Sequence, residues 1–175
     1  MLKELSILEL FFQDPIKTYS AREISRACGV SHITVAKKLK AYRFIERASY
    51  GPYEGFKAIM NPEFNHLRFV RNYLMLQESG LLEYLIKIYS QPTIILFGSY
   101  ATATQAPNSD IDILVIAEKK TEVPLTDYET KLGHKIHLFV HNRSDIRRLS
   151  KESPYLVNGW CNGLVLNGEL EVLGK

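Results

Sequence analysis

The chain has 175 residues, 46% hydrophobic and 23% charged, which allows a packed core and excludes a disordered polymer. The formal net charge of +3 decides little for the chain as a whole, but up to Met60 ten Lys and Arg stand against six Asp and Glu while the remainder is close to neutral. The basic excess therefore points to a polyanion at the N-terminal part. No apolar run reaches membrane-spanning length, so no membrane partner is expected.

Taken in order, Leu2, Leu5, Leu8 and Phe12 have helical spacing, widened by Ile7, Leu10 and Phe11. Glu4 and Glu9 interrupt this stretch, which therefore lacks the form of a signal peptide. Asp14-Pro15 ends the helix. Ser20-Ala21-Arg22-Glu23 reads as a capping box, opening a helix that carries Ile24 and Ala27 inward and stops at Gly29. Ser31 caps the next helix, with Val35, Leu39 and Tyr42 on one side and His32, Lys37, Lys38 and Lys40 elsewhere. Two short strands, Ile45 to Ala48 and Phe56 to Met60, flank Tyr50-Gly51-Pro52 as a hairpin. Asn61-Pro62 breaks the chain, and Phe64, Leu67, Val70, Leu74 and Leu76 predict a stiff connecting helix up to Ser79-Gly80. The expected division is 1–61, a helical linker 62–80, and 81–175. Cys28 and Cys161 lie one on each side of the linker and suggest neither a disulfide framework nor a zinc site, so a reducing cytoplasm is expected.

After a helix from Leu81 to Tyr89 comes the most informative stretch, Thr93 to Ile116. Thr93 to Phe97 is a β-branched and aromatic strand that stops at Gly98-Ser99. Asp110 to Ile116 is a second strand, on which Asp110 and Asp112 share one face and Ile111, Ile113 and Val115 the other. Adjacent carboxylates repel unless a cation lies between them, and oxygen ligands suit a hard ion such as Mg²⁺. Glycine lets a ligand approach the backbone, and a helix starting there aims N–H groups and a hydroxyl at an anion. A phosphate cradle and a metal-binding carboxylate pair point to chemistry on a nucleoside triphosphate. Further on, Tyr128 to Leu132 is a short helix and Lys135 to Val140 a third strand. Asp145 to Leu149 and Pro154 to Cys161 look helical. Asn167-Gly168, between Leu164-Val165-Leu166 and Leu170-Glu171-Val172, signals a two-residue hairpin. His137 and His141 share a strand face that His134 does not, and the plain reading of all three is as polar residues on a half-exposed strand.

Gly98-Ser99 followed by Ser109-Asp110-Ile111-Asp112 resembles the nucleotidyltransferase superfamily of DNA polymerase β, most closely its minimal members. The likeness covers about the second half of the chain. It implies an α+β fold with a mixed β-sheet and flanking helices, phosphate contacts from Gly98, Ser99 and Ser109, and metal-binding, catalytic roles for Asp110 and Asp112. The family often has Arg-Gly shortly after Gly-Ser, where this chain has Tyr100-Ala101-Thr102-Ala103. The family's third carboxylate corresponds to His137, a possible third site residue that would favour Mn²⁺ or Zn²⁺ over Mg²⁺ or act as a base. Small family members are antitoxins that nucleotidylate a partner toxin protein; others modify antibiotics or RNA.

The stretch AREISRACGVSHITVAKKLKAYRFIER resembles the winged helix-turn-helix family, over residues up to about Met60. The resemblance implies binding of duplex DNA, with Ser31, His32, Thr34 and Lys38 toward bases and Lys37, Lys40, Arg47 and Lys57 toward phosphates. Many such domains bind as a homodimer. A protein-interaction module is the alternative for this region. For the whole chain the readings are an Mg²⁺-dependent nucleotidyltransferase that also binds DNA, a DNA-binding regulator whose second domain senses nucleotide without turnover, and a structural adaptor, against which the retained Ser99, Asp110 and Asp112 speak.

Overall fold

The computed structural model describes residues 6–171, and the chain divides into two compact units, residues 1–71 and 72–175. The division falls inside the segment expected to be a linker. Among the described residues no helix is long and apolar enough to cross a membrane.

In the first unit the opening amphipathic stretch yields a short helix, α1 (Glu9–Gln13), preceded by a turn. Leu2 and Leu5 lie outside the described residues, whereas Ile7, Leu8, Phe11 and Phe12 are buried. The Asp14 side chain accepts from the N–H groups of Ile16 and Lys17 and so turns the chain out of α1. Helix α2 (Ala21–Cys28) starts with both halves of the Ser20–Glu23 capping box and ends at Gly29, whose φ of +69° is one that glycine adopts without steric penalty. Ile24 is buried, but Ala27 is exposed. The inward stripe runs instead through Ala21, Ile24 and Cys28 at i, i+3 and i+7. Helix α3 (His32–Leu39) follows after the Ser31 cap and buries Val35 and Leu39.

Strands β1 (Ile45–Tyr50) and β2 (Tyr53–Ala58) pair antiparallel from Ile45↔Ala58 to Tyr50↔Tyr53. The ladder thus runs right up to a two-residue connection, Gly51-Pro52, and Ile59 and Met60 lie outside it, exposed. A bridge between Tyr19 and Phe56 ties the segment before α2 to the hairpin. Helix α4 (Pro62–Ser79) is continuous. Asn61 accepts from the Phe64 N–H at its start. Its buried stripe is Phe64, Arg68, Asn72 and Leu76, spaced four apart, while Val70, half a turn away, is 41% exposed. Apolar character alone does not place Val70 inside. The inner stripe instead carries two polar residues that find partners; Arg68, for one, donates to the Phe12 carbonyl at 2.8 Å.

The second unit is built on a four-stranded mixed sheet. After α5 (Leu81–Tyr89) come β3 (Thr93–Phe97), α6 (Gly98–Thr102), β4 (Ile111–Ile116), α7 (Thr126–Leu132), β5 (Ile136–His141), α8 (Arg143–Glu152), α9 (Pro154–Cys161) and β6 (Leu164–Asn167). The strand order is β5-β4-β3-β6, with β4 and β5 parallel and the other pairs antiparallel. Period-two alternation sends Ile94, Leu96, Ile111, Ile113, Val115 and Ile136 to one face, against Leu81, Leu82, Leu85 and Leu132. Ile95, Leu114 and Ile116 go to the other, against Ile146, Val157 and Trp160. Covering both faces explains why β3 and β4 read as near-continuous apolar runs.

The hairpin expected around Asn167-Gly168 does not form among the described residues. Strand β6 pairs with β3, and no strand follows up to residue 171; Val172 lies outside the described residues. The turn chemistry is used otherwise: the Asn167 side chain donates to the Pro92 carbonyl, and the Thr93 hydroxyl donates to the Glu169 carbonyl at 2.7 Å.

Candidate functional site

Strand register assembles the site. Phe97, the last residue of β3, pairs with Asp112 of β4, and Asp112 in turn pairs with His137 of β5. Gly98 therefore falls beside Asp112, and Asp110, two residues before Asp112, reaches the same face. The His137 imidazole stands across both carboxylates, Nε2 at 3.5 Å from Asp110 Oδ2 and Nδ1 at 3.4 Å from Asp112 Oδ1. No Lys or Arg pairs with either aspartate among the described residues. Burial pushes the Asp112 carboxyl above its ordinary pKa; His137 pulls it back, and the neighbouring Asp110 adds to the rise.

Gly98 has φ +69°, and a Cβ on it would lie 2.5 Å from Asp112 Oδ2, closer than atoms can pack. The glycine therefore opens the space in front of the carboxylate pair. Ser99, half-buried, sits in the first turn of α6, which no side chain caps. The Thr102 hydroxyl donates to the carbonyls of Gly98 and Ser99, both at 3.3 Å, and braces that turn from within. At its far end Ala103 adopts φ +56°, the left-handed conformation that glycine prefers, and it lies within the segment where the resemblance has Arg-Gly.

Ser109 sits in the turn before Asp110. Its Oγ accepts from the Ala106 N–H at 2.9 Å, and its own N–H donates to the Ala106 carbonyl at 3.0 Å. Its oxygen is thereby engaged in the turn that delivers Asp110. The histidines separate. His134 packs edge-on against Tyr100, and His141 lies 5.4 Å from the Trp160 ring and 3.8 Å from Asp145. Of the three, His137 alone faces the aspartates.

Two buried polar residues support the site without having been predicted. Asn72 donates to the Tyr100 carbonyl at 3.0 Å and accepts from Gln105 Nε2 at 2.8 Å, so it grips α6 and the loop after it. The available signal was the i+4 spacing Phe64–Arg68–Asn72–Leu76, which places Asn72 on an otherwise buried stripe.

In the first unit Ser31, His32, Thr34, Lys37, Lys38 and Lys40 are all exposed along or beside α3. Ser31 accepts from the Thr34 N–H, and the two hydroxyls lie 2.9 Å apart. Arg47 reaches across the hairpin to Glu54, its Nη1 donating to both carboxylate oxygens within 3.1 Å. Lys57 is half-buried on β2.

The comparisons bear on the second unit. Residues 82–166 match the family model described as Polymerase beta, Nucleotidyltransferase. Neither the curated proteins nor the solved structures gave a match. The matched segment contains Gly98, Ser99, Asp110, Asp112 and His137 together, and the mixed sheet with helices on both faces is consistent with a fold of that kind. Residues 82–166 are thus similar to the polymerase β nucleotidyltransferases, and nucleotidyl transfer is the general chemistry to which the likeness points.

Proposed function

We propose that the second unit binds a nucleoside triphosphate with a divalent cation and transfers a nucleotidyl group from it to a protein or other acceptor, the acceptor oxygen bonding the α-phosphorus as the α–β phosphoanhydride bond breaks and pyrophosphate leaves, and that the first unit binds duplex DNA. The observation that carries the first half is the meeting of Gly98, Asp110 and Asp112 at one end of β3 and β4. Two carboxylates with no lysine or arginine partner among the described residues are hard oxygen donors, which suits Mg²⁺. When bound, the ion supplies charge neutralisation on the phosphate oxygens and polarises the bond to be broken. Asp110 and Asp112 hold it. Among the described residues no group of three His, Cys, Asp or Glu is arranged to hold a metal by itself, so the ion would depend on the triphosphate as well as on the two aspartates. Ser99 offers its hydroxyl and N–H to a phosphate, and Gly98 keeps the approach clear. His137, within 3.5 Å of both carboxylates, takes the proton that the acceptor hydroxyl loses.

His137 also favours a second reading. An imidazole brings no negative charge to the position in register with Asp112, so this unit would retain the triphosphate, turn it over slowly or not at all, and act as a nucleotide sensor for a DNA-binding regulator. For the DNA half, the support is the succession helix, short turn, helix, hairpin, with Lys37, Lys38 and Lys40 exposed. A homodimer on a two-fold site and a cytoplasmic setting, in keeping with free Cys28 and Cys161, complete the proposal.

The test is incubation with ATP labelled in the α-phosphate, with Mg²⁺ or Mn²⁺, with and without a toxin-like partner protein, followed by mass spectrometry. The transferase reading expects a nucleotidyl adduct on the partner or on the chain. The sensor reading expects none from the parent, but Mg²⁺-dependent transfer by His137→Asp. Transfer by the parent that survives His137→Ala removes the histidine from the chemistry.

A further inference from the structure

We propose that Ile33 reads the methyl group of thymine, so that the first unit prefers duplex sites with an A·T pair where the start of α3 meets the base edges. The inference rests on the DNA-binding reading above and makes it specific. Val35 and Leu39, fully buried, fix the inner face of α3. On the other side Ile33, Lys37 and Lys40 follow at i, i+4 and i+7 as one exposed stripe, with Ile33 72% exposed.

Single exposed apolar residues are ordinary on protein surfaces. This one differs in its company. No ion pair to Lys37, Lys38 or Lys40 is found among the described residues, and α3 carries no acidic side chain, so the stripe presents an apolar tip followed by unbalanced positive charge. Isoleucine is not called for locally either, because a β-branched residue is a poorer helix former than a straight-chain one. The polar neighbours are already committed: Ser31 caps the helix through the Thr34 N–H at 3.3 Å, and the two hydroxyls are bonded to each other. Among the first-turn residues, His32 and Ile33 keep side chains that no hydrogen bond engages among the described residues.

A complementary surface must be anionic and must offer a small apolar group. The major groove of duplex DNA does both, since phosphates line its walls and the thymine C5-methyl is the apolar group at its base edges. Ile33 and Lys40 are about 10 Å apart along the helix axis by the rise per residue, which matches a groove about 12 Å wide. The apolar tip then reaches the base edges while the lysines stay at phosphates, the usual division of labour along such a helix.

The experiment uses the full chain. Duplexes retained at low salt are selected from a random pool, and each is remade with deoxyuridine in place of thymidine, which removes the methyl group alone. The parent is expected to bind the deoxyuridine duplex about fourfold more weakly, the equivalent of one buried methyl group. Ile33→Ala, which leaves helix content and melting temperature unchanged, is expected to bind both duplexes alike, at the parent's weaker level. Equal binding of both duplexes by the parent overturns the role of Ile33 and leaves the DNA reading standing. Retention of no duplex at all overturns both, and makes this face a protein-docking surface.

Discussion

Gly98 opens α6 and Asp112 lies on β4, yet one register pair, Phe97↔Asp112, brings them face to face. That closeness makes Gly98 the most restricted residue of the site. In Gly98→Ala, a left-handed φ of +69° and a Cβ 2.5 Å from the Asp112 carboxylate act together. The backbone strain alone is about 1–2 kcal/mol, which lowers the melting temperature of a unit this size by roughly 5–10 °C. The displaced carboxylate also weakens triphosphate binding. Thermal denaturation and calorimetry of that variant check both effects; an unchanged melting temperature with unchanged affinity contradicts the steric account. The shared face of Asp110 and Asp112 was legible, because strand periodicity alone gives it, while His137 joins them through a β4–β5 pairing that periodicity does not encode. The engagement of Ser109 in a turn, and the grip of Asn72 on α6, were not, since both depend on where a loop closes in space.

At the scale of the elements, a side-chain cap marks where α2, α3 and α8 begin. The Ser20–Glu23 box was plain in the sequence because serine and glutamate are its strongest signature. The equivalent device at α8 was missed, and the helix was expected to start at Asp145 rather than Arg143. There Asn142 accepts from the Asp145 N–H at 2.8 Å while Asp145 accepts from the Asn142 N–H at 3.0 Å. The Lys120 ammonium, 2.7 Å away, and the Asn142 N–H hold the Asp145 carboxyl down at about 2. A carboxyl lowered on folding stabilises the native state above its unfolded pKa, and that contribution is lost as pH falls toward the folded value. Asp145→Asn is accordingly expected to melt several degrees below the parent at neutral pH, with the gap closing between the ordinary carboxylate range and about pH 2. Melting curves across that range check it; a gap independent of pH means that the charge plays no part. Strand β6 shows the opposite failure. Asn167-Gly168 carried the local signal of a hairpin, but a free edge of β3 was a better partner, and no local pattern encodes that.

For the whole molecule, the division of charge is the most informative property. The basic excess lies before Met60 and the carboxylate site after it, which fits a chain that meets a nucleic acid with one unit and a nucleotide with the other. Duplex affinity is expected to fall steeply with salt, and Lys37→Ala with Lys40→Ala to weaken every sequence and flatten the log–log slope by about 0.9 for each phosphate that a lysine ceases to neutralise. Gel shifts across salt concentrations measure this, and an unaltered slope places those lysines away from the phosphates. Two units were legible because composition changes near Asn61, but the border at residues 71 and 72 was not, since it lies within one uninterrupted helix. The central claim is that Asp110 and Asp112 join a triphosphate to the chain through a divalent ion. Titration calorimetry with ATP, in Mg²⁺ and in EDTA, compares the parent with Asp110→Asn, Asp112→Asn. The account predicts Mg²⁺-dependent binding by the parent and its loss in the double variant, with the fold retained because two repelling carboxylates have been neutralised. Equal affinity of both proteins for ATP, with or without the metal, would contradict it.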